Sequence, residues 1–159
     1  MVDRINLLIV DDEVHFLDSL AQRLELRGFN VTKSDSGESA IESARKENFE
    51  LVLLDLKMPG LGGKEVLDIL KKEHKFMEVI ILTGHGSLES AVECTKLGAF
   101  GYLPKPYEFE NLIEILKNAY EALLKKKFKN DDKKLEQLLN ITAEGNALEM
   151  LKEMRKLDN

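Results

Sequence analysis

Short apolar runs recur along the first 125 residues and alternate with amphipathic segments, and this alternation constrains the fold more than any other feature. Each run is almost wholly apolar, as expected of a strand that is buried on both faces of a sheet. Strands that alternate with helices predict an α/β domain with a parallel sheet covered on both sides. The five predicted strands span residues 5–10, 29–34, 50–54, 78–82 and 100–103.

The segments between these runs, and the one after the last, carry the apolar spacing of helices. In the fourth of them, Leu88, Ala91 and Val92 recur at intervals that share one helical face. Asp35 and Glu38 have the spacing of a capping box, which predicts where the second helix begins. The fifth predicted helix continues through a run of lysines to about Phe128.

The composition argues against several classes of protein. The chain has 159 residues and a net charge of −6, and this acidic balance argues against a nucleic-acid binder. No apolar run approaches the ~18 residues of a membrane span. The N-terminus has no small-residue cleavage site, so we expect no signal peptide. Cys94 is the only cysteine, which excludes an internal disulfide and favours a cytoplasmic protein.

Polar side chains follow four of the predicted strands at the point where each strand ends. Asp11 and Asp12 follow the first strand, Asp55 the third and Thr83 the fourth, while Lys105 comes shortly after the fifth. In an open parallel sheet the functional crevice lies beyond the carboxyl ends of the strands. Any one of these residues alone has an ordinary explanation as a helix cap, a turn residue or a solvated lysine. Their joint occurrence on one edge predicts a functional site.

This set of residue types predicts phosphoryl chemistry. Crowded carboxylates repel one another, and Mg²⁺ relieves the repulsion because it prefers carboxylate oxygens, water and phosphate oxygens as ligands. Asp55 beside Mg²⁺ can act as a nucleophile toward phosphorus and become a phosphoryl acceptor. Lys105 would offset charge on the transferring group, and the Thr83 hydroxyl would donate to it. No glycine-rich loop follows the first strand, so a dinucleotide cofactor is not expected.

Four segments carry a resemblance to a known family. They are residues 8–13 (LIVDDE), 53–59 (LLDLKMP) with Gly63, 82–84 (LTG) and 101–106 (GYLPKP). In this order they resemble a response-regulator receiver domain of two-component signalling, over residues 1 to 125. The resemblance implies a flavodoxin-like, doubly wound sheet of strand order 2-1-3-4-5 with five helices.

The resemblance also implies roles for individual residues. Asp55 accepts the phosphoryl group. Asp12, Asp55 and the backbone carbonyl of Lys57 ligate Mg²⁺, for which Mn²⁺ can substitute, and Asp11 acts on the metal through water. Lys105 pairs with Asp55 before it pairs with the phosphoryl group.

Further implied roles concern the response to phosphorylation. Thr83 and Tyr102 form the switch, and the peptide bond between Lys105 and Pro106 is cis. Lys57 and His85 flank the route by which water would attack the phosphate, so they tune how long the phosphorylated state lasts.

The predicted function is therefore that of a signalling receiver rather than an enzyme acting on other substrates. A sensor histidine kinase or a histidine phosphotransfer protein would donate the phosphoryl group, and the chain would catalyse its own phosphorylation and dephosphorylation. The switch would act on an unidentified effector through the surface of the fourth helix, fifth strand and fifth helix.

Three alternatives remain open. The first is an interaction module that no longer uses phosphorylation, and the second is the N-terminal piece of a transcription regulator. The third is a Mg²⁺-dependent phosphohydrolase, which would need an acid two residues after Asp55, where this chain has Lys57.

The C-terminal part of the chain has a different sequence pattern from the first 125 residues. The boundary is expected at the lysine run, with a receiver at 1–125 and a helical extension at 126–159 that contains no recognisable output domain. Two short amphipathic helices are predicted, separated at Gly145 and Asn146. The extension folds back on the receiver or remains partly disordered, forms a homodimer or binds a partner, or contacts nucleic acid through its lysines. A homodimer through the surface of the fourth helix, fifth strand and fifth helix is a further option.

Overall fold

A computed structural model of the chain describes residues 3–159, which form a five-stranded parallel sheet flanked by helices. The strand order is β2-β1-β3-β4-β5, which confirms the predicted flavodoxin-like fold. The elements in chain order are β1 Asn6–Val10, α1 Val14–Leu26, β2 Asn30–Ser34, α2 Gly37–Lys46, β3 Leu51–Leu54, α3 Gly63–Glu73, β4 Glu78–Thr83, α4 Leu88–Lys96, β5 Gly101–Pro104, α5 Phe109–Lys127, α6 Asp132–Ile141 and α7 Ala147–Asp158.

The sheet separates two apolar cores, which explains why its central strands are apolar throughout. One core packs α1 and α5 against one face, with Leu24 and Leu116 completely buried. The other core packs α2, α3 and part of α4 against the opposite face, with Leu67 and Cys94 buried. Each large apolar side chain that is buried in this way stabilises the fold by about 1.5–3 kcal/mol.

The register of the strands brings their carboxyl ends to one edge. Val10 of β1 is paired with Leu54 of β3, and Leu54 is paired with Ile81 of β4. Thr83 at the end of β4 is paired with Pro104 at the end of β5. The residues that follow β1, β3, β4 and β5 therefore emerge together, as the sequence pattern predicted.

The predicted start of α2 was wrong by a small shift. Ser36 caps this helix, because its side chain accepts a hydrogen bond of 3.2 Å from the Ser39 N–H, and Asp35 lies outside the helix. The Glu38 carboxylate does not complete a capping box. It accepts a hydrogen bond of 2.8 Å from the Leu61 N–H and so fixes the loop before α3.

Helices α6 and α7 fold back against α5. Leu138, Leu151 and Met154 are buried in the same apolar core as Tyr120 and Leu124 of α5. The predicted break between the two helices is confirmed, since Gly145 has a φ of 109° and Asn146 caps α7. Of the arrangements that the sequence left open for the extension, the structure has the folded-back one. Within residues 3–159, each helix is either too short or too polar to cross a lipid bilayer.

Candidate functional site

Three carboxylates converge at the carboxyl edge of the sheet. Asp11 and Asp12 follow β1 and Asp55 follows β3, and one oxygen of each lies within 4.8 Å of the others. Asp11 and Asp55 are each only 2% exposed, whereas Asp12 is exposed. The sequence predicted this cluster because parallel strands end at one edge.

Backbone N–H groups orient the two buried carboxylates. The Glu13 N–H donates to Asp11 Oδ1 over 2.9 Å, and the Leu56 N–H donates to Asp55 Oδ1 over 2.9 Å. Each hydrogen bond occupies one oxygen of its carboxylate. The second oxygen of each is left for a charged partner within the site.

Lys105 reaches into the cluster from the end of β5, but its partner differs from the one we expected. Its ammonium lies 2.6 Å from Asp11 Oδ2, whereas the resemblance implied a pairing with Asp55. The Glu13 N–H holds Asp11 Oδ1, and the other oxygen of the same carboxylate, Oδ2, accepts the hydrogen bond from Lys105. The Lys105–Pro106 peptide bond is cis, as the resemblance implied.

Four groups around Asp55 and its own burial act on the pKa of its carboxyl. Burial raises the pKa of the Asp55 carboxyl above its usual range, and the neighbouring Thr83 hydroxyl opposes that shift. The charge of Asp11 adds to the rise in pKa, while Lys105 lowers it. The site therefore holds more negative charge than its single lysine neutralises, and a bound cation would relieve it.

The donor set of the cluster fits Mg²⁺ or Mn²⁺. Three carboxylates offer hard oxygen ligands with no nitrogen or sulfur among them, and the exposed position of Asp12 leaves access to solvent. The direct roles expected of Asp12 and Asp55, and the water-mediated role expected of Asp11, stay predictions. The part expected of the Lys57 carbonyl stays a prediction.

The two residues of the predicted switch lie on the neighbouring strands β4 and β5. Thr83 is completely buried at the end of β4, and its Oγ1 accepts a hydrogen bond of 3.1 Å from the His85 N–H. The Tyr102 hydroxyl on β5 lies 3.1 Å from Ser90 Oγ, and Ser90 belongs to the capping box of α4. Ser90 was not singled out from the sequence, although Ser87 and Ser90 carry capping-box spacing.

Lys57 and His85 lie on exposed loops after β3 and β4. Lys57 comes two residues after Asp55 and His85 two residues after Thr83, and their influence on the lifetime of a phosphorylated state stays a prediction.

Phe16 is a member of the site that sequence reasoning missed. Its ring lies beneath the Lys105 ammonium, 3.8 Å from nitrogen to ring centroid. Phe16 is in the first turn of α1, four residues after Asp12. Its nearness to Asp12 in sequence was a signal, because the first turn of α1 begins at the edge of the sheet where β1 ends.

Comparison with known proteins identifies the family. Residues 7–117 match the model of the response regulator receiver domain. The chain is 38% identical over 117 residues to the transcriptional regulatory protein ZraR of Escherichia coli K12, a match that covers 74% of this chain and 26% of ZraR. It is 30% identical over 149 residues to the nitrogen assimilation regulatory protein NtrX of Azorhizobium caulinodans, which covers 92% of this chain and 33% of NtrX.

Solved structures agree with this assignment. A CheY-like receiver domain protein from Methanospirillum hungatei superposes with a TM-score of 0.75 at 33% identity, covering 77% of this chain and 98% of that one. The chain spans about a quarter to a third of the length of the first curated relatives it matches. Fold, site and sequence agree, and the chain belongs to the response regulator receiver domain family of two-component signalling.

Proposed function

We propose that Asp55 accepts a phosphoryl group from a phosphohistidine of a sensor histidine kinase or a histidine phosphotransfer protein. The observation that carries this proposal is the convergence of Asp11, Asp12 and Asp55 with Lys105 at one edge of the sheet. A carboxylate nucleophile, a metal-binding pair of carboxylates and a lysine are the groups that such a transfer requires.

The transfer uses the free oxygen of Asp55. The Leu56 N–H holds Oδ1, so Oδ2 attacks phosphorus. The new O–P bond forms as the P–N bond of the donor breaks, and the leaving imidazole nitrogen takes up a proton. The burial that raises the pKa of Asp55 also keeps competing water away from the attacking oxygen.

Mg²⁺ or Mn²⁺ would be held by Asp12, Asp55 and the Lys57 carbonyl and, through water, by Asp11. When bound, the ion would neutralise charge on the phosphoryl oxygens. Lys105 then exchanges its bond with Asp11 for one with a phosphoryl oxygen. The Thr83 hydroxyl donates to another. The residues of the chain thus supply the nucleophile and the positive charge, so the chain catalyses its own phosphorylation.

Dephosphorylation uses the same groups. Water attacks the phosphorus of the aspartyl phosphate, and the carboxylate of Asp55 is the leaving group. Lys57 and His85 are exposed beside this route and set how readily water enters.

The output of the switch runs through Thr83 and Tyr102. Movement of Thr83 toward a phosphoryl group empties space beside Tyr102, whose hydroxyl is bonded to Ser90 of α4. A shift of Tyr102 therefore reaches the surface of α4, β5 and α5, where Leu88 and Val92 are exposed. We propose that a downstream effector protein, or a second copy of the chain, binds this surface in the cytoplasm.

The extension at 126–159 is less suited to the other roles considered. Its buried apolar residues, Leu138, Leu151 and Met154, face the receiver and are not free for a partner. Lys126 and Lys127 are engaged in ion pairs with Glu78 and Asp158, which disfavours nucleic-acid binding. A division into a receiver at 1–125 and a helical extension stays our proposal, as does the alternative that the chain is part of a longer transcription regulator.

Asp55→Asn tests the proposed function. The full chain is incubated with Mg²⁺ and acetyl phosphate, and intact-mass spectrometry records the gain of one phosphoryl group. The wild type should gain a base-labile phosphoryl group, because Asp55 supplies the attacking oxygen, and Asp55→Asn should gain none. Asp68→Asn, an equivalent change on α3 away from the cluster, should behave as the wild type does.

The alternative functions predict other results of the same experiment. An interaction module that does not use phosphorylation binds Mg²⁺ but leaves the wild type unmodified. A phosphohydrolase turns over unrelated phosphate esters rapidly and accumulates no adduct. Either result would overturn the proposed function.

A further inference from the structure

We infer that Phe16 is a positioning residue for phosphoryl transfer, because it holds the Lys105 ammonium over the carboxylate cluster. The inference rests on the proposed function of Asp55 as a phosphoryl acceptor. Its basis is the contact between the Phe16 ring and the Lys105 ammonium, whose nitrogen lies 3.8 Å from the ring centroid. The Lys105 side chain is only 16% exposed, so water weakens this attraction little.

A lysine that works in this site has to change partners. In the structure its ammonium is bonded to Asp11 at 2.6 Å, and during transfer it has to bond to a phosphoryl oxygen. An ammonium has three N–H donors, of which Asp11 uses one. The face of an aromatic ring attracts the cation without a directional hydrogen bond. Phe16 can therefore hold the ammonium near the cluster before, during and after the exchange without competing for its donors.

Both ends of Lys105 are fixed by this arrangement. The Lys105 backbone N–H donates to the Thr83 carbonyl over 2.9 Å, which fixes the start of the side chain. Phe16 packs against the apolar core that α1 and α5 share, which fixes the ring under the ammonium. Without the ring, the bond with Asp11 alone would hold the ammonium, and the four-carbon stem could turn toward solvent whenever that bond is exchanged.

The contact itself is tested on the metal-free chain. Protons above an aromatic ring are shifted upfield, so the ε-methylene protons of Lys105 should resonate upfield of those of the other lysines. Phe16→Leu should abolish this NMR shift, and Phe16→Tyr, which keeps the ring, should preserve it. An unshifted Lys105 signal in the wild type would overturn the inference.

The functional part is tested by the rate of phosphorylation with acetyl phosphate at saturating Mg²⁺. Phe16→Leu should slow the reaction by about threefold to tenfold, the range that corresponds to a partly desolvated cation–π contact. Phe16→Tyr should retain most of the rate. If Phe16 acts through Lys105, then Phe16→Leu should have no further effect in a Lys105→Met chain.

Phe128→Leu is the matched control. The Phe128 ring lies 4.9 Å from the Lys134 ammonium, at the far end of α5 from Asp55. Its loss should leave the rate unchanged, and circular dichroism should show that each variant is folded. Should Phe16→Leu prove unfolded, Phe16→Met, which keeps more of the volume of the ring, takes its place.

The outcomes separate the two proposals. A wild type that gains no phosphoryl group overturns the proposed function and this inference with it. A wild type that is phosphorylated at the same rate as Phe16→Leu overturns the inference alone. An equal loss of rate with and without Lys105 also overturns it, because the ring would then act on packing and not through the lysine.

Discussion

Gly86 lies directly beneath the hydroxyl of Tyr102, and this close approach decides which side chains the position accepts. A Cβ at Gly86 would overlap the Tyr102 hydroxyl and lie 2.8 Å from the ring carbon that carries it. The loop after β4 therefore leaves space for Tyr102 to bond with Ser90 only because this residue has no side chain. The orientation of Tyr102 in the proposed switch therefore depends on the absence of a side chain at Gly86.

Gly86→Ala should consequently displace Tyr102 and break its hydrogen bond with Ser90. We expect the Tyr102 ring resonances to shift in the NMR spectrum of the unmodified protein, and the N–H signals around Ser90 to move with them. The hydrogen bond contributes only about 1 kcal/mol, so the fold should persist.

Gly84→Ala is the matched control two residues earlier. A Cβ there meets nothing closer than Lys105 Cβ at 3.9 Å, an ordinary contact, so the Tyr102 signals of the unmodified protein should stay in place. Equal shifts in the two variants would show that the loop as a whole, and not contact with Tyr102, sets the orientation of the ring.

At the scale of residues, the sequence predicted which side chains meet but not how they pair. Asp11, Asp55, Thr83 and Lys105 could be found because each follows a strand, and strand ends converge whatever the rotamers are. That Lys105 bonds to Asp11 rather than Asp55, and lies on Phe16, depends on rotamers and on the exact position of α1. No pattern of residue types encodes those distances.

At the scale of elements, the sequence predicted the strands to within about a residue because their apolar runs are sharply bounded. Predictions at helix starts were less accurate. Asp35 and Ser36 are both good capping residues. The Glu38 carboxylate accepts a hydrogen bond from the Leu61 N–H in a distant loop, so it does not complete a capping box with Asp35. Competition between local and tertiary hydrogen bonds cannot be read from spacing alone.

The extension shows the same limit, since its helices could be predicted and their docking could not. Leu138 and the neighbouring Leu139 have equal propensities, yet Leu138 is buried in the core with α5 whereas Leu139 is 69% exposed. Met154 of α7 is 0% exposed in that core. If α7 is an integral part of the fold, truncating Met154 should lower the free energy of unfolding as much as truncating a central core residue does.

Met154→Ala should therefore lower the free energy of unfolding by about 2–5 kcal/mol, the cost of truncating a buried methionine. Urea denaturation of the full chain measures this, and hydrogen exchange should show faster exchange in α6 and α7 first. Leu139→Ala, a truncation at an exposed site on the same extension, should change stability by less than about 0.5 kcal/mol. Equal and small effects in both variants would mean that the extension is not docked in solution.

At the scale of the whole molecule, Arg155 joins parts of the chain that are far apart in sequence. Its guanidinium lies 2.8 Å from Glu50 before β3, 3.2 Å from Asp3 and 3.2 Å from Asp158 of α7. The Tyr120 hydroxyl of α5 donates to Asp158 over 2.7 Å and completes the network. The extension is thus held by buried charges as well as by apolar contacts, at the edge of the sheet opposite Asp55.

Arg155→Met should destabilise the chain by about 3 kcal/mol at neutral pH, because it leaves Glu50 buried without its cation. Adding Glu50→Gln should recover about 1–2 kcal/mol of that loss, since the neutral amide costs less to bury than the carboxylate does. Urea denaturation of the wild type, the two single variants and the double variant gives this double-mutant cycle. Lys156→Met is the control, because Lys156 pairs with Glu153 on the exposed side of α7 and its loss should have little effect.

The pH dependence of the Arg155→Met effect follows from Glu50. Burial raises the pKa of the Glu50 carboxyl above its ordinary value of 4.5, and Arg155 opposes that rise. A raised pKa in the folded state gives stability that is present below the ordinary value and is lost as the pH rises through the folded value. Without Arg155 the folded pKa rises further, so more stability is lost at neutral pH.

The difference in unfolding free energy between wild type and Arg155→Met should therefore be largest near pH 7 and shrink as the pH falls toward 4.5. In the Glu50→Gln background the same difference should vary much less with pH, because the group that titrates is gone. A difference that stays constant between pH 7 and 4.5 would contradict this account. It would mean that Arg155 holds the extension through Asp158 and packing, and that the start of β3 takes no part in the coupling.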